Sequence, residues 1–356
     1  MNDERLLLFN LRTDLDDHIL GFTSGWISAL LAHYGAIDVI TMHRGRIAFD
    51  ERVRVCSIGR ERGWPVLLRL LAFYGHLLRL LLTHRYQAVF SHMTPLLSIL
   101  AAPVLHLFGL RLVTWYTHRQ RHRQIAWAAR LSWRVVSAVE TSFPIPTPKL
   151  RVLGHGIPTD FFTPDPAVQP DEPPLLALVA RLTPIKRQHL AIEALAKLKG
   201  CRLVLVGGVP DGYEAEYADQ LRAQVASLSL TERVIFAGEQ TPEQVRTWYR
   251  RASLALNLSP VGLFDKAALE GMACATPTLV CNPAFAPLLG EQKAALLLPE
   301  DLDAAQLARA VQSWLSRPSA ERHALGLALR CAVMEQHSLE CLAARLAHVL
   351  RTGESK

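Results

Sequence analysis

Between Leu175 and Leu289 the chain reads ALVARLTPIKRQHLAIEALAKL (Ala177–Leu198), RLVLVGG (Arg202–Gly208), ERVIFAG (Glu232–Gly238) and SLALNLSPVGLFDKAALEGMACATPTLV (Ser253–Val280), and this order decides the fold. Leu175–Val179, Arg202–Val206, Val234–Phe236, Leu254–Leu256 and Thr278–Val280 are short apolar runs separated by helical patterns. Such alternation predicts a parallel sheet flanked by helices. In an open parallel sheet the ligand site lies beyond the carboxyl ends of the strands, so the residues after each run are the candidates. They are Arg181 and Lys186 after the first run, Gly207 and Gly208 after the second, and Val261–Lys266 leading to Glu270 after Leu254–Leu256. Two cations, a glycine turn and a helix amino terminus suit a diphosphate, because fixed positive charge and exposed amides both stabilise it. Glu270, one turn into the helix, can accept two hydrogen bonds from a vicinal diol such as ribose.

Through RLTPIK (Arg181–Lys186), VGG (Val206–Gly208), RVIFAG (Arg233–Gly238) and SPVGLFDKAALEGMA (Ser259–Ala273), the chain resembles the retaining glycosyltransferases of family 4, which have GT-B architecture. The resemblance runs from about Gly21 to the last helix. It is looser in the amino half, where GFTSGW (Gly21–Trp26) sits at the family's glycine loop and KLRVLGHGIPTDFFTP (Lys149–Pro164) at its crossover segment. It implies an α/β protein of two Rossmann-like parallel-sheet domains facing across a cleft. By the same resemblance Arg181 and Lys186 hold the donor diphosphate and Glu270 the ribose hydroxyls. Backbone amides of Leu263, Phe264, Asp265 and Lys266 reach the distal phosphate and sugar, and Gly21, Gly207 and Gly208 complete the donor side. The implied activity is transfer of a sugar, with retention, from a nucleoside-diphosphate sugar to a lipid-linked acceptor or a polysaccharide precursor. No metal or other cofactor is expected.

Two positions depart from the family pattern. Gly262 stands where the family has a glutamate eight residues before the one matching Glu270, so Asp265 or backbone groups must take over the sugar contact, or the sugar is held differently. Ala275 stands where glycine is common after the helix. A catalytically silent nucleotide-sugar-binding or partner-binding protein on the same fold is the alternative that Gly262 keeps open. A dinucleotide enzyme is disfavoured, since no GxGxxG follows Leu6–Asn10.

The 356 residues suffice for two domains with separate cores. Expected boundaries are an acceptor-side domain over 1–160, a linker over 161–174, a donor domain over 175–335 and a closing helical segment over 336–356, which by resemblance packs back on the first domain. Five prolines and four acids between Asp160 and Pro174 mark the linker. First-domain strands are expected at Leu6–Asn10, Ala36–Met42, Val53–Ser57, Ala88–Ser91, Leu112–Trp115 and Val135–Ser137. No signal peptide is read at MNDERLLLFNLR, and the six cysteines show no metal or CxxC spacing, so they read as reduced thiols of a cytoplasmic protein.

Charge is uneven: residues 1–165 hold 19 Lys and Arg against 12 Asp and Glu, while the remainder is balanced at 20 each. A basic first domain points to an anionic acceptor, to an anionic surface on the inner membrane face, or to solubility alone. No nucleic acid partner is expected. WPVLLRLLAFYGHLLRLLLTHR (Trp64–Arg85) places Arg62, Arg69, His76 and Arg79 in one helical stripe among leucines. Two readings stand: an interfacial helix making a peripheral membrane contact, or a long helix buried on the first sheet. HRQRHRQ (His118–Gln124) follows the strand ending at Trp115, and His118 matches a family position near the donor sugar. It reads as a catalytic contact to sugar or acceptor, or as a surface histidine. Arg119, Arg121 and Arg123 read as acceptor-phosphate ligands or as a solvated face.

Overall fold

The computed structural model describes residues 4–17, 21–209 and 216–355, and divides into two compact units, residues 1–156 with 339–356 and residues 157–338. The first unit contains β1 (Arg5–Thr13), α1 (Phe22–Leu30), β2 (Ala36–Arg44), β3 (Val53–Ser57), α2 (Val66–Thr83), β4 (Ala88–His92), α3 (Pro95–Leu107), β5 (Leu112–Trp115), α4 (Arg123–Leu131), β6 (Arg134–Ser137) and β7 (Leu150–Val152). Its sheet runs β3-β2-β1-β4-β5-β6-β7 with every pair parallel. Both faces are covered, which is why β1 carries an unbroken buried run from Leu6 to Phe9.

The second unit contains β8 (Leu175–Val179), α5 (Gln188–Ala196), β9 (Arg202–Val206), α6 (Glu216–Ser227), β10 (Val234–Gly238), α7 (Pro242–Arg251), β11 (Leu254–Asn257), α8 (Lys266–Ala273) and β12 (Thr278–Val280). The short α9 (Ala286–Leu289) and α10 (Lys293–Leu296) follow, then α11 (Ala304–Leu315) and α12 (Ser319–His337). Its sheet runs β10-β9-β8-β11-β12, again all parallel. Strand order therefore reverses between β1 and β4 in one sheet and between β8 and β11 in the other. Those are the positions where open α/β sheets leave a crevice.

Three local features differ from the sequence expectation or sharpen it. Leu150–Val152, included in the crossover segment, is an edge strand whose three residues and half-exposed side chains carry no strand periodicity. The proline-rich stretch before β8 is tied into the second unit: Arg246 donates to the Phe161 carbonyl at 3.2 Å, and Asp171 accepts from Arg202 and Arg251 at 2.8 Å each. The closing helix α13 (Leu339–Thr352) lies in the first unit, where two glycines make room for it. A Cβ on Gly156 would stand 2.7 Å from Leu342, and one on Gly25 would stand 3.4 Å from Leu339.

Ala275 ends α8 with φ +59, the left-handed conformation in which a Cβ is strained. Gly326 of α12 packs against it so closely that a Cβ there would come within 2.0 Å of the Ala275 carbonyl oxygen. Ala275→Gly is therefore expected to stabilise the fold by about 0.5–1 kcal/mol, measurable as a raised midpoint in urea unfolding with unchanged slope.

Candidate donor site

The site is built at the switch point of the second sheet, where the loops after β8 and β11 face each other. After β8 the chain turns against the end of β9: Ala180 N–H donates to Val206 O and Leu182 N–H to Gly208 O, both at 2.9 Å. Gly207 has φ +142, and a Cβ on it would lie 2.2 Å from the Ala180 carbonyl oxygen. Gly207 is thus required by the close approach of two backbone segments, and this fixes where Arg181 leaves the sheet. The carbonyl of Arg181 accepts from the amide of fully buried Gln188 at 2.9 Å. Its side chain is exposed, and among the described residues its guanidinium has no ion-pair partner.

Lys186 is held differently. Its ammonium lies 2.7 and 2.6 Å from the two carboxylate oxygens of Asp265 and 3.1 Å from Ser259 Oγ. Asn257 Nδ2 donates to the same carboxylate at 3.1 Å, and the Ser259 hydroxyl donates to it as well. Both charged side chains are largely buried. Charge-assisted bonds in such a place are short and directional, so the loops after β8 and β11 are locked together. Asn257 and Ser259 were invisible as site residues in the sequence. The available signal was that two polar residues stand at the carboxyl end of a strand buried along its whole length.

Asp265 is also the residue before α8, but its side chain is turned to Lys186 and makes no bond to the first-turn amides. The positive end of the helix therefore adds to the field of the site. One turn apart on α8, Lys266 and Glu270 share a half-buried environment. Burial lowers the Lys266 ammonium to about 8, against the opposing pull of Glu270. Burial also raises the Glu270 carboxyl above its ordinary range, an effect that Lys266 counters. The Tyr249 hydroxyl donates to the Ala267 carbonyl at 2.6 Å and anchors the helix. Gly271 leaves space for that ring, since a Cβ would stand 2.9 Å from it.

The departure at Gly262 has a backbone cause. Its φ is +88, a left-handed conformation that glycine adopts freely and glutamate does not. Val261 N–H donates at 3.1 Å to Oε1 of Glu300, an acceptor that no motif singled out. Leu263 and Phe264 lie in the same loop, with the Phe264 ring tilted against Phe285 at a centroid distance of 4.4 Å.

The remaining candidates lie in the first unit. Gly21 precedes α1, and a Cβ there would meet the Asp17 carbonyl oxygen at 2.5 Å. His118, Arg119, Arg121 and Arg123 are exposed beyond β5. It is His122, not His118, that shapes this turn: its Nδ1 accepts from Ile125 N–H at 3.3 Å to cap α4, and its Nε2 lies 3.0 Å from the Tyr116 hydroxyl. At this sheet's own switch point, His92 is buried, 3.4 Å from Asn10 Oδ1, with its ring tilted against Trp26 and stacked on Trp115. Among the described residues no three His, Cys, Asp or Glu side chains form a metal cluster.

Residues 162–328 match the family described as Glycosyl transferases group 1, a segment that falls in the second unit. The D-inositol 3-phosphate glycosyltransferase of Mycobacteroides abscessus is 30% identical over 160 residues, which are 42% of this chain and 36% of that protein. The match thus spans about a third of the relative's length. Over the whole chain, HepE of Anabaena, solved in complex with UDP, superposes with a TM-score of 0.75 at 17% identity, covering 97% of this chain and 99% of its own. Sucrose-phosphate synthase of Thermosynechococcus elongatus gives 0.77 at 19% identity, covering 98% of both. The chain therefore has the two-domain parallel-sheet fold of GT-B glycosyltransferases, with a second unit that matches glycosyl transferases group 1.

Proposed function

We propose that this chain is an enzyme that transfers a sugar from a nucleoside-diphosphate sugar to an acceptor, with retention at the anomeric carbon. The observation that carries the reading is the convergence of Lys186 and the α8 amino end at the switch point of the second sheet, with Glu270 one turn along the helix. As the bond from the anomeric carbon to the diphosphate oxygen breaks, charge develops on that oxygen. Arg181, Lys186 and the helix amino end stabilise it, and the oxygen takes the proton of the acceptor hydroxyl as the new bond forms on the same face. Glu270 accepts from the ribose hydroxyls. His118 contacts sugar or acceptor, and Arg119, Arg121 and Arg123 provide charge for an anionic acceptor. Cationic side chains serve here in place of a divalent metal. HepE binds UDP, which makes uridine the first base to try.

A thermal-shift panel of nucleoside diphosphates tests this reading, followed by turnover with the corresponding sugar nucleotides in the presence of a chelator. One diphosphate is expected to raise the melting temperature; absence of any shift, with no turnover, sinks the proposal. The affinity carries a pH signature. Lys266 gives up its proton around pH 8, so binding is expected to fall by about twofold from pH 7 to pH 8 and more steeply above it. The limit is about tenfold per pH unit, the slope for one proton. Lys266→Arg moves that fall beyond the accessible range, which calorimetry at several pH values would detect.

A further inference from the structure

α2 is buried along one side only. Phe73, Leu77 and Leu80 join the core beside Phe9, Ile40 and Val89, whereas Leu67, Leu71, Leu78 and Leu82 on the opposite side are 68, 62, 42 and 76% exposed. The Tyr74 hydroxyl donates to the Leu100 carbonyl of α3 at 3.2 Å, and Leu107 at the end of α3 is 84% exposed. Folded monomers rarely present a contiguous apolar face of this kind, and where they do it meets a membrane or a protein.

Charge selects between the two. From Val66 to Thr83 the helix has no acidic residue; Arg62, Arg79 and Arg85 are exposed along and beside it, whereas Arg69 lies on the core side. The nearest acid in sequence, Glu61, is occupied by the Ser57 hydroxyl at 2.7 Å and by Arg62 at 3.7 Å. Arg62 lies over the Trp64 ring at 5.2 Å, placing an indole and a cation together at the amino end. The exposed stripe itself is aliphatic, without the aromatic and hydrogen-bonding anchors of protein interfaces.

We propose that α2 lies flat in the headgroup region of an anionic phospholipid bilayer, its leucine face inserted and its arginines on the lipid phosphates. The helix is long and apolar enough to cross a membrane by length and composition. Crossing would nevertheless strip Phe73, Leu77 and Leu80 from the core, so the surface position is the one compatible with the fold. The proposal stands independently of sugar transfer.

Flotation of the full chain with vesicles of phosphatidylcholine alone, and with a third phosphatidylglycerol, tests it. The wild type is expected to float with the anionic vesicles and much less with the neutral ones. Leu71→Glu with Leu78→Glu is expected to lower partitioning by about tenfold or more. Arg62→Glu with Arg79→Glu lowers it by about fivefold or more per charge. All four positions are exposed, and an unchanged melting temperature confirms that the variants fold. Failure of the wild type to float, equal flotation on both vesicles, or leucine variants that float as well as the wild type each overturns the proposal. So does a wild-type dimer that the leucine variants dissociate, because the face then belongs to a second copy of the chain.

Discussion

Lys186→Met is expected to lower turnover with a sugar nucleotide by about 10²–10³-fold and to destabilise the protein at the same time. On the proposed function, the first loss follows from removing a cation that stabilises the leaving diphosphate. The second follows from Asp265, whose carboxylate keeps Asn257 and Ser259 but loses the ammonium 2.6 Å away. Breaking a fully buried pair costs about 3–5 kcal/mol, and the slight exposure of both side chains brings the expectation here to about 2–3 kcal/mol. Adding Asp265→Asn to Lys186→Met removes the stranded charge, so the double variant is expected to recover most of the stability and none of the turnover. Urea unfolding and single-turnover kinetics on the three proteins separate the effects. Recovery of turnover in the double variant would reduce Lys186 to a counter-ion of Asp265 and remove it from the chemistry.

This pair also shows where sequence reading stops. The order of apolar runs was enough to place β8, β9 and β12 to the residue and to put Lys186 and Asp265 on loops at the same end of one sheet. Their contact was not legible, because it depends on β8 and β11 being neighbours, a fact of strand order that no local pattern carries. Gly262 could be seen as a departure but not explained, since the sign of φ is a property of the folded loop. α2 failed in the opposite way: helical periodicity located its polar stripe, yet that stripe lies beside the buried face, and the side farthest from the core is leucine. Hydrophobic periodicity reports that two faces differ; it does not say which of them the sheet covers.

Arg181→Ala is expected to reduce kcat/KM by about 10²–10³-fold, a loss of roughly 2–4 kcal/mol in transition-state stabilisation, while leaving stability within about 0.5 kcal/mol of wild type. The contrast with Lys186 follows from the surroundings. The exposed Arg181 guanidinium has no ion-pair partner among the described residues, and the backbone beneath it is fixed by Gly207, Gly208 and Gln188, which the substitution does not touch. Arg181→Lys restores a charge but not the planar fork that grips two phosphate oxygens, so only part of the rate is expected to return. The effect should appear in kcat more than in KM, because the leaving diphosphate gains charge only as the bond breaks. If Arg181→Ala raises KM and spares kcat, the guanidinium binds the donor without helping the diphosphate to leave. If it changes neither, the diphosphate lies elsewhere, and the convergence of the β8 and β11 loops has another purpose.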